Sequence, residues 1–201
     1  MTVPELSARV TQLETRLAEL ATERTTDRKM LEKLRKALDL DGATGAFSRI
    51  YFETQLGSEL RRWRRDHHDR LAVPLSIGLV DLDHLKRIND GNGHLAGDRA
   101  LKEIVTICRL HLRRDTDVVA RYGGDEFALL FPQTPIESAA HLAEQIRRDV
   151  SAAQVKGQPI SVSIGLSTCP THGRSARALL DAADRALYRA KQSRNTVACA
   201  E

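Results

Sequence analysis

Two runs of strand-forming residues, VVARY (118–122) and FALLF (127–131), are separated only by Gly-Gly-Asp-Glu. So short a connection leaves no room for a crossover helix, so the two strands must lie side by side and antiparallel. Elsewhere apolar runs alternate with helical patterns. LSIGLVDLD (75–83) and ISVSIGLST (160–168) read as buried strands, and TVAC (196–199) as a short last one. Helices are expected over about 46–67, 84–91, 97–113, 135–152 and 174–192. A hairpin inside a strand–helix alternation excludes an all-parallel sheet. It points to an α+β, ferredoxin-like architecture: a mostly antiparallel sheet with helices packed against it. Aromatic residues are only 4% of the chain, so the core must come from Leu, Ile, Val and Ala.

The first forty residues follow a different rule. Leu6, Leu13, Leu20 and Leu34 share one seven-residue register, and Val10, Leu17, Leu31 and Leu38 share a second. These are the d and a positions of a heptad, interrupted once by a polar layer of Arg24 and Asp27. Arg9 with Glu14, and Glu23 with Arg28, make attractive g–e′ pairs in a parallel dimer. Residues 1–40 are therefore expected to form a coiled-coil helix that joins two copies of the chain. Asp41-Gly42 ends that helix, and residues 41–201 form the folded domain.

Composition removes several classes of function. A net charge of +4, with acidic residues mixed in throughout, lacks the concentrated basic face of a polymeric nucleic-acid binder. No apolar run approaches the ~20 residues of a membrane span, and MTVPELSARV lacks a signal-peptide core. Cys108, Cys169 and Cys199 are widely spaced and odd in number, which suits a reducing, cytoplasmic setting and no zinc site. The seven histidines show no metal-ligand spacing.

The chemistry concentrates in two acidic pairs. Asp81 and Asp83 close the first long strand, which can present a carboxylate rigidly to a cation. Mg²⁺ takes hard oxygen ligands, commonly one or two carboxylates plus substrate phosphates. Asp125 and Glu126 sit in the hairpin turn, where Gly123 and Gly124 leave no side chain to obstruct a ligand. Between the pairs, Lys86 near a helix start suits a polyphosphate. Asn89 and Asp98 offer a mixed donor–acceptor group and an acceptor-only carboxylate, a set able to read a guanine edge.

R-Y-G-G-D-E-F at 121–127, with D-x-D-x-x-K-x-I-N-D-x-x-G-H-x-x-G-D over 81–98, resembles the GGDEF diguanylate cyclases. The resemblance covers about 41–197. It implies a nucleotidyl-cyclase palm that joins two GTP molecules into cyclic di-GMP with release of two pyrophosphates. In that family a dimer is active, each domain presenting one GTP. By the same resemblance Asp81, Asp125 and the Leu82 carbonyl are Mg²⁺ ligands, with Mn²⁺ as an alternative ion. Asp125 also lies near the 3′-hydroxyl, and Glu126 supports the metal site. Asn89 and Asp98 match the guanine-reading pair. Lys86, Lys191 and Arg194 match phosphate contacts, with Gly123 and Gly124 lining the substrate. Arg114 and Asp117 match the R-x-x-D site through which the product inhibits its own synthesis.

Three departures stand out. Leu85 replaces the usual Phe, and DGATGAFSR (41–49) is a loose version of D-x-L-T-G-L-x-N-R. A-K-Q-S-R-N (190–195) lacks the glycine usual before the Arg and is one residue short. The rival reading is a catalytically silent domain that senses GTP or cyclic di-GMP. Silent members usually lose the signature acids, and all of them are present here.

Overall fold

A computed structural model describes residues 3–68 and 73–201. The chain divides into two compact units, Met1–Leu38 and Asp39–Glu201. The first is a single helix, α1 (Val3–Leu38). Of its apolar heptad positions, Leu13, Leu17 and Leu20 have described side chains, and these are 53%, 67% and 46% exposed; the side chains of Leu6, Val10, Leu31, Leu34 and Leu38 lie outside the described residues. Thr22, Thr25 and Thr26 donate their hydroxyls to carbonyls one turn back, at 2.8–3.0 Å. Their polar atoms are therefore satisfied without a partner from outside the helix.

The second unit runs β1 (Phe47–Ser48), α2 (Arg49–His68), β2 (Leu75–Leu82), α3 (Leu85–Asn92), α4 (His94–His111), β3 (Val118–Arg121) and β4 (Glu126–Phe131). It continues with α5 (Ile136–Ala152), β5 (Gln154–Val155), β6 (Gln158–Pro159), β7 (Val162–Cys169), α6 (Ala176–Ser193) and β8 (Val197–Cys199). Six strands form one sheet in the order β1-β3-β4-β2-β7-β8, while β5 and β6 pair separately. The four central strands are antiparallel, and only the short outer strands β1 and β8 join in parallel.

Helices cover both faces of this sheet. Val80, Leu82, Phe127, Leu129, Phe131, Ile164 and Leu166 pack against Ile104, Val105 and Ile146 of α4 and α5. Their strand neighbours Ile77, Leu79, Ala128 and Leu130 turn the other way, onto Phe52, Leu56, Leu179 and Leu187 of α2 and α6. Burial on both faces is why these strands read as continuous apolar runs and not as alternating ones. All eight residues of β2 and of β7 are buried. The hydroxyls this encloses are satisfied: Ser76 donates to the Thr134 carbonyl at 2.8 Å, and Ser167 to the Leu179 carbonyl at 2.8 Å.

The α+β architecture agrees with expectation, and the differences are local. Helix α4 begins at His94 and not near Gly97, because the chain turns sharply one residue earlier, at Gly93 with φ +76°. The two-residue strands β1, β5 and β6 are too short to leave a periodic signal in the sequence. Among the described residues no helix is long and apolar enough to cross a membrane.

Candidate active site

The central strand β2 is enclosed on both faces, and its carboxyl end therefore makes a rigid platform. Asp81 sits there, 8% exposed, and lies directly opposite Glu126 in the sheet register. The hairpin turn closes because the N–H groups of Tyr122 and Gly123 both donate to the Glu126 carbonyl, at 2.8 and 3.2 Å. The Leu82 N–H donates to the Asp125 carbonyl at 3.2 Å, tying the turn to the end of β2. Asp81, Leu82, Asp125 and Glu126 are thus brought together by backbone hydrogen bonds, independently of their side chains.

Arg121, which motif reading left without a role, braces this turn. Its guanidinium donates to the carbonyls of Gly123 at 3.3 Å and Gly124 at 2.8 Å, and to Asp41 Oδ1 at 3.3 Å. Asp41 also accepts from the Thr44 N–H and hydroxyl, at 2.8 and 2.6 Å. Burial works to raise the Asp41 pKa, but these bonds and the Arg121 charge prevail and hold it below the usual carboxylate range.

Lys191, in the last turn of α6, places Nζ 2.8 Å from Asp81 Oδ2. Burial raises the Asp81 pKa, and the charges of Asp125 and Glu126 add to that; Lys191 opposes them without cancelling them. For Lys191, burial works downward, but the bond and charge of Asp81, with Glu126 and Asp125, raise its pKa overall. The ammonium thus stands where the acidic cluster draws positive charge.

The second acid of the D-x-D pair is differently employed. Asp83 is buried and accepts from Ser161 Oγ at 2.7 Å, Ser163 Oγ at 2.8 Å and the Asn195 N–H at 3.0 Å. It is a structural anchor for the loop that follows α6. That loop solves the missing glycine by strain: Arg194 has φ +54° and Asn195 φ +45°. Left-handed residues of this kind cost of order 1–3 kcal/mol each and persist only where their surroundings hold them. Here Asn195 Oδ1 also accepts from Arg147 at 2.7 Å, and the Arg194 carbonyl from Thr196 at 2.7 Å. The Arg194 side chain is exposed, and no hydrogen bond or ion pair joins it to another described residue.

Asn89 and Asp98 flank a close approach of α3 and α4. A β-carbon at Gly97 would lie 2.1 Å from Asn89 Oδ1 and 2.8 Å from Leu85 Cδ1, so any larger residue there must displace both side chains. Leu85 fills part of this junction in place of the usual Phe and packs on the core. Asn89 Oδ1 is buried there without a hydrogen-bond partner. Lys86 and Asp98 are exposed and engage no other described side chain.

Arg114 and Asp117 are not joined. The Asp117 side chain is fully buried and taken by the neighbouring Arg113, through Nη2 at 2.7 Å and Nε at 3.0 Å. Arg113 sits four residues back and also reaches the Pro132 carbonyl at 2.8 Å, so the chain's path over 113–117 selects it. Arg114 is left exposed. Both residues precede β3, at the opposite end of that strand from the Gly-Gly turn.

A divalent cation fits this donor set. Among the described residues no three acidic, histidine or cysteine side chains converge on one point. Asp81 and Asp125 instead supply two carboxylates, the number Mg²⁺ commonly takes from protein when phosphates complete its shell.

The mixed sheet thus carries acids on adjacent strand ends, with a lysine resting on one of them. Residues 38–196 match the family described as diguanylate cyclase, GGDEF domain, and the chain belongs to that family. It is 36% identical over 192 residues to diguanylate cyclase DgcP of Pseudomonas aeruginosa, covering 94% of this chain and 28% of that one. It is 35% identical over 156 residues to probable diguanylate cyclase DgcC of Escherichia coli, covering 76% of this chain and 40% of that protein. The chain thus spans well under half the length of either curated relative. The solved coiled coil and GGDEF domain of DgcB from Caulobacter crescentus, in complex with c-di-GMP, superposes with a TM-score of 0.76 at 28% identity. The match covers 94% of this chain and 99% of that one.

Proposed function

We propose that the chain is a diguanylate cyclase, condensing two GTP molecules into cyclic di-GMP and two pyrophosphates. The observation that carries the reading is the cluster of Asp81, Asp125 and Glu126 at adjacent strand ends, with Lys191 on Asp81. The GGDEF membership and the cyclases named among the relatives support it. Each of two chains presents one GTP, and the 3′-hydroxyl of each attacks the α-phosphate of the other.

The residues then divide the work. Asn89 and Asp98 receive the guanine edge, and the orphaned Asn89 oxygen gains a donor whose lack costs ~1–3 kcal/mol. Lys86 and Lys191 neutralise phosphate charge, joined by Arg194 from its exposed loop. Gly123 and Gly124 let the nucleotide lie against the turn. Asp125 orients the 3′-hydroxyl and draws its proton, and Glu126 keeps the local charge negative. Mg²⁺, or Mn²⁺ in its place, would be held by Asp81, Asp125 and the Leu82 carbonyl and would offset phosphate charge. Beyond that the catalysis is positioning and electrostatics, with no covalent enzyme intermediate.

Pairing of two chains falls to α1, whose exposed Leu13, Leu17 and Leu20 form part of a heptad seam. The coiled coil solved with the DgcB domain supports that assignment. Product feedback would act through Arg114; Asp117 contributes only by exchanging Arg113 for the product.

The test is incubation with GTP and MgCl₂ and identification of products by mass spectrometry. Cyclic di-GMP is expected, with specific activity rising with protein concentration and falling when cyclic di-GMP is added. GTP bound but never turned over would overturn the reading in favour of a silent sensor. Arg121→Ala should lower turnover by about 10–100-fold, because the turn bearing Asp125 loses its brace. The nucleotide KM should change less than kcat; equal losses in both would deny Arg121 that positioning role.

A further inference from the structure

We infer that Lys191 is a place-holding cation on Asp81, so that the divalent metal and the nucleotide enter the site together and not independently. The inference rests on the metal-dependent reading above and deepens it. Three observations lead there. The Lys191 ammonium lies 2.8 Å from Asp81 Oδ2, on the same carboxylate that the metal would need. The two partners differ in freedom: the Lys191 side chain is 39% exposed, while the Asp81 side chain is 11% exposed and fixed in the central strand. The acidic side chains also provide only part of a metal shell, with no three acidic, histidine or cysteine side chains converging among the described residues.

The consequence is a competition. A bare metal ion approaching Asp81 must displace an ammonium already at hydrogen-bond distance, and the released lysine gains nothing in exchange. A metal arriving with a nucleotide brings phosphate oxygens, and these give Lys191 a second anion within reach of its flexible four-carbon stem. The lysine then moves from carboxylate to phosphate, and the metal takes its place. Binding of metal and nucleotide must therefore favour each other, and by thermodynamic reciprocity the coupling is equal in both directions. The anchoring of the next loop by Asp83, through the Asn195 N–H, keeps the root of Lys191 in place while its tip moves.

Free Mn²⁺ measured by electron paramagnetic resonance tests this, with and without a non-hydrolysable GTP analogue. Wild-type protein should bind Mn²⁺ weakly alone and at least about tenfold more tightly with the analogue. Lys191→Met should raise nucleotide-free Mn²⁺ affinity by about tenfold, the scale of one partly screened charge at this distance, and should shrink the coupling. Lys191→Arg, which keeps the charge, should bind nucleotide-free Mn²⁺ as wild type does. If Lys191→Met melts early, Lys191→Gln makes the same comparison. An unchanged or lower Mn²⁺ affinity in the neutral variants, while wild type binds Mn²⁺ with nucleotide, overturns the place-holder alone. No Mn²⁺ binding by wild type in either condition overturns the metal-dependent reading as well.

Discussion

Asp125→Asn is expected to reduce cyclic di-GMP formation by about three orders of magnitude while leaving the fold intact. The two halves of that expectation come from different atoms of one residue. The turn depends on the Asp125 backbone carbonyl, which accepts from the Leu82 N–H at 3.2 Å, and the substitution keeps that carbonyl. What is lost is the carboxylate charge, and with it the metal ligand and the acceptor of the 3′-hydroxyl proton that the proposed function assigns to this residue. The side chain is only half-buried and forms no ion pair with another described residue, so stability should move by no more than ~0.5 kcal/mol. Pyrophosphate release measured beside a urea denaturation curve checks both parts. Turnover within tenfold of wild type would mean that Asp125 is not the group doing this chemistry. A large stability loss would mean that the carboxylate also supports the turn.

Gly165→Ala should do the reverse and damage the fold before the chemistry. Gly165 lies in β7 where α6 crosses it. A β-carbon there would sit 2.1 Å from the Leu187 nitrogen, 2.3 Å from the Ala183 carbonyl oxygen and 2.7 Å from the Leu187 Cα. All three are helix backbone atoms, which cannot swing aside as a side chain can. The helix must retreat as a body, loosening the buried Leu179, Ala183 and Leu187 and drawing Lys191 away from Asp81. A cost of about 3 kcal/mol or more is expected, at or beyond the upper end for overpacking. Gly78→Ala provides the control. Its β-carbon would meet the Leu166 Cδ2 at 2.9 Å and Leu129 side-chain atoms at 3.6 Å, atoms that can shift. That variant should lose ~1–2 kcal/mol at most. Equal urea midpoints for the two variants would show that helix–strand contact at Gly165 is not the limiting feature.

The strands were legible because each carries its burial in its own residues. FALLF and LSIGLV are apolar at every position, or nearly so, which suits a sheet covered on both faces, and the four-residue gap at Gly-Gly-Asp-Glu forced FALLF antiparallel to VVARY. The acids were legible as a motif, since turn glycines and strand-end carboxylates stand together in sequence. The brace on the turn was not, because Arg121 and Asp41 are eighty positions apart and only folding brings them together. The partner of Asp117 was not legible either, because only the path of the loop turns the neighbouring Arg113, and not Arg114, onto its carboxylate.

Asp83 shows the same division within three residues. On paper it is the equal of Asp81, two residues further along the chain. In the fold it is buried and accepts three hydrogen bonds, from Ser161, Ser163 and Asn195, while Asp81 faces the turn and Lys191. The sequence by itself determined the order of elements, the antiparallel hairpin and the residues able to hold phosphate, guanine or a metal. Those follow from backbone preference and side-chain chemistry, which act over a few residues. Only the tertiary structure decided which charges meet, which carboxylate is anchored and which stands open beside the turn, and that Lys191 rests on Asp81. Those choices depend on desolvation and packing among segments up to 112 positions apart, and no local pattern encodes them.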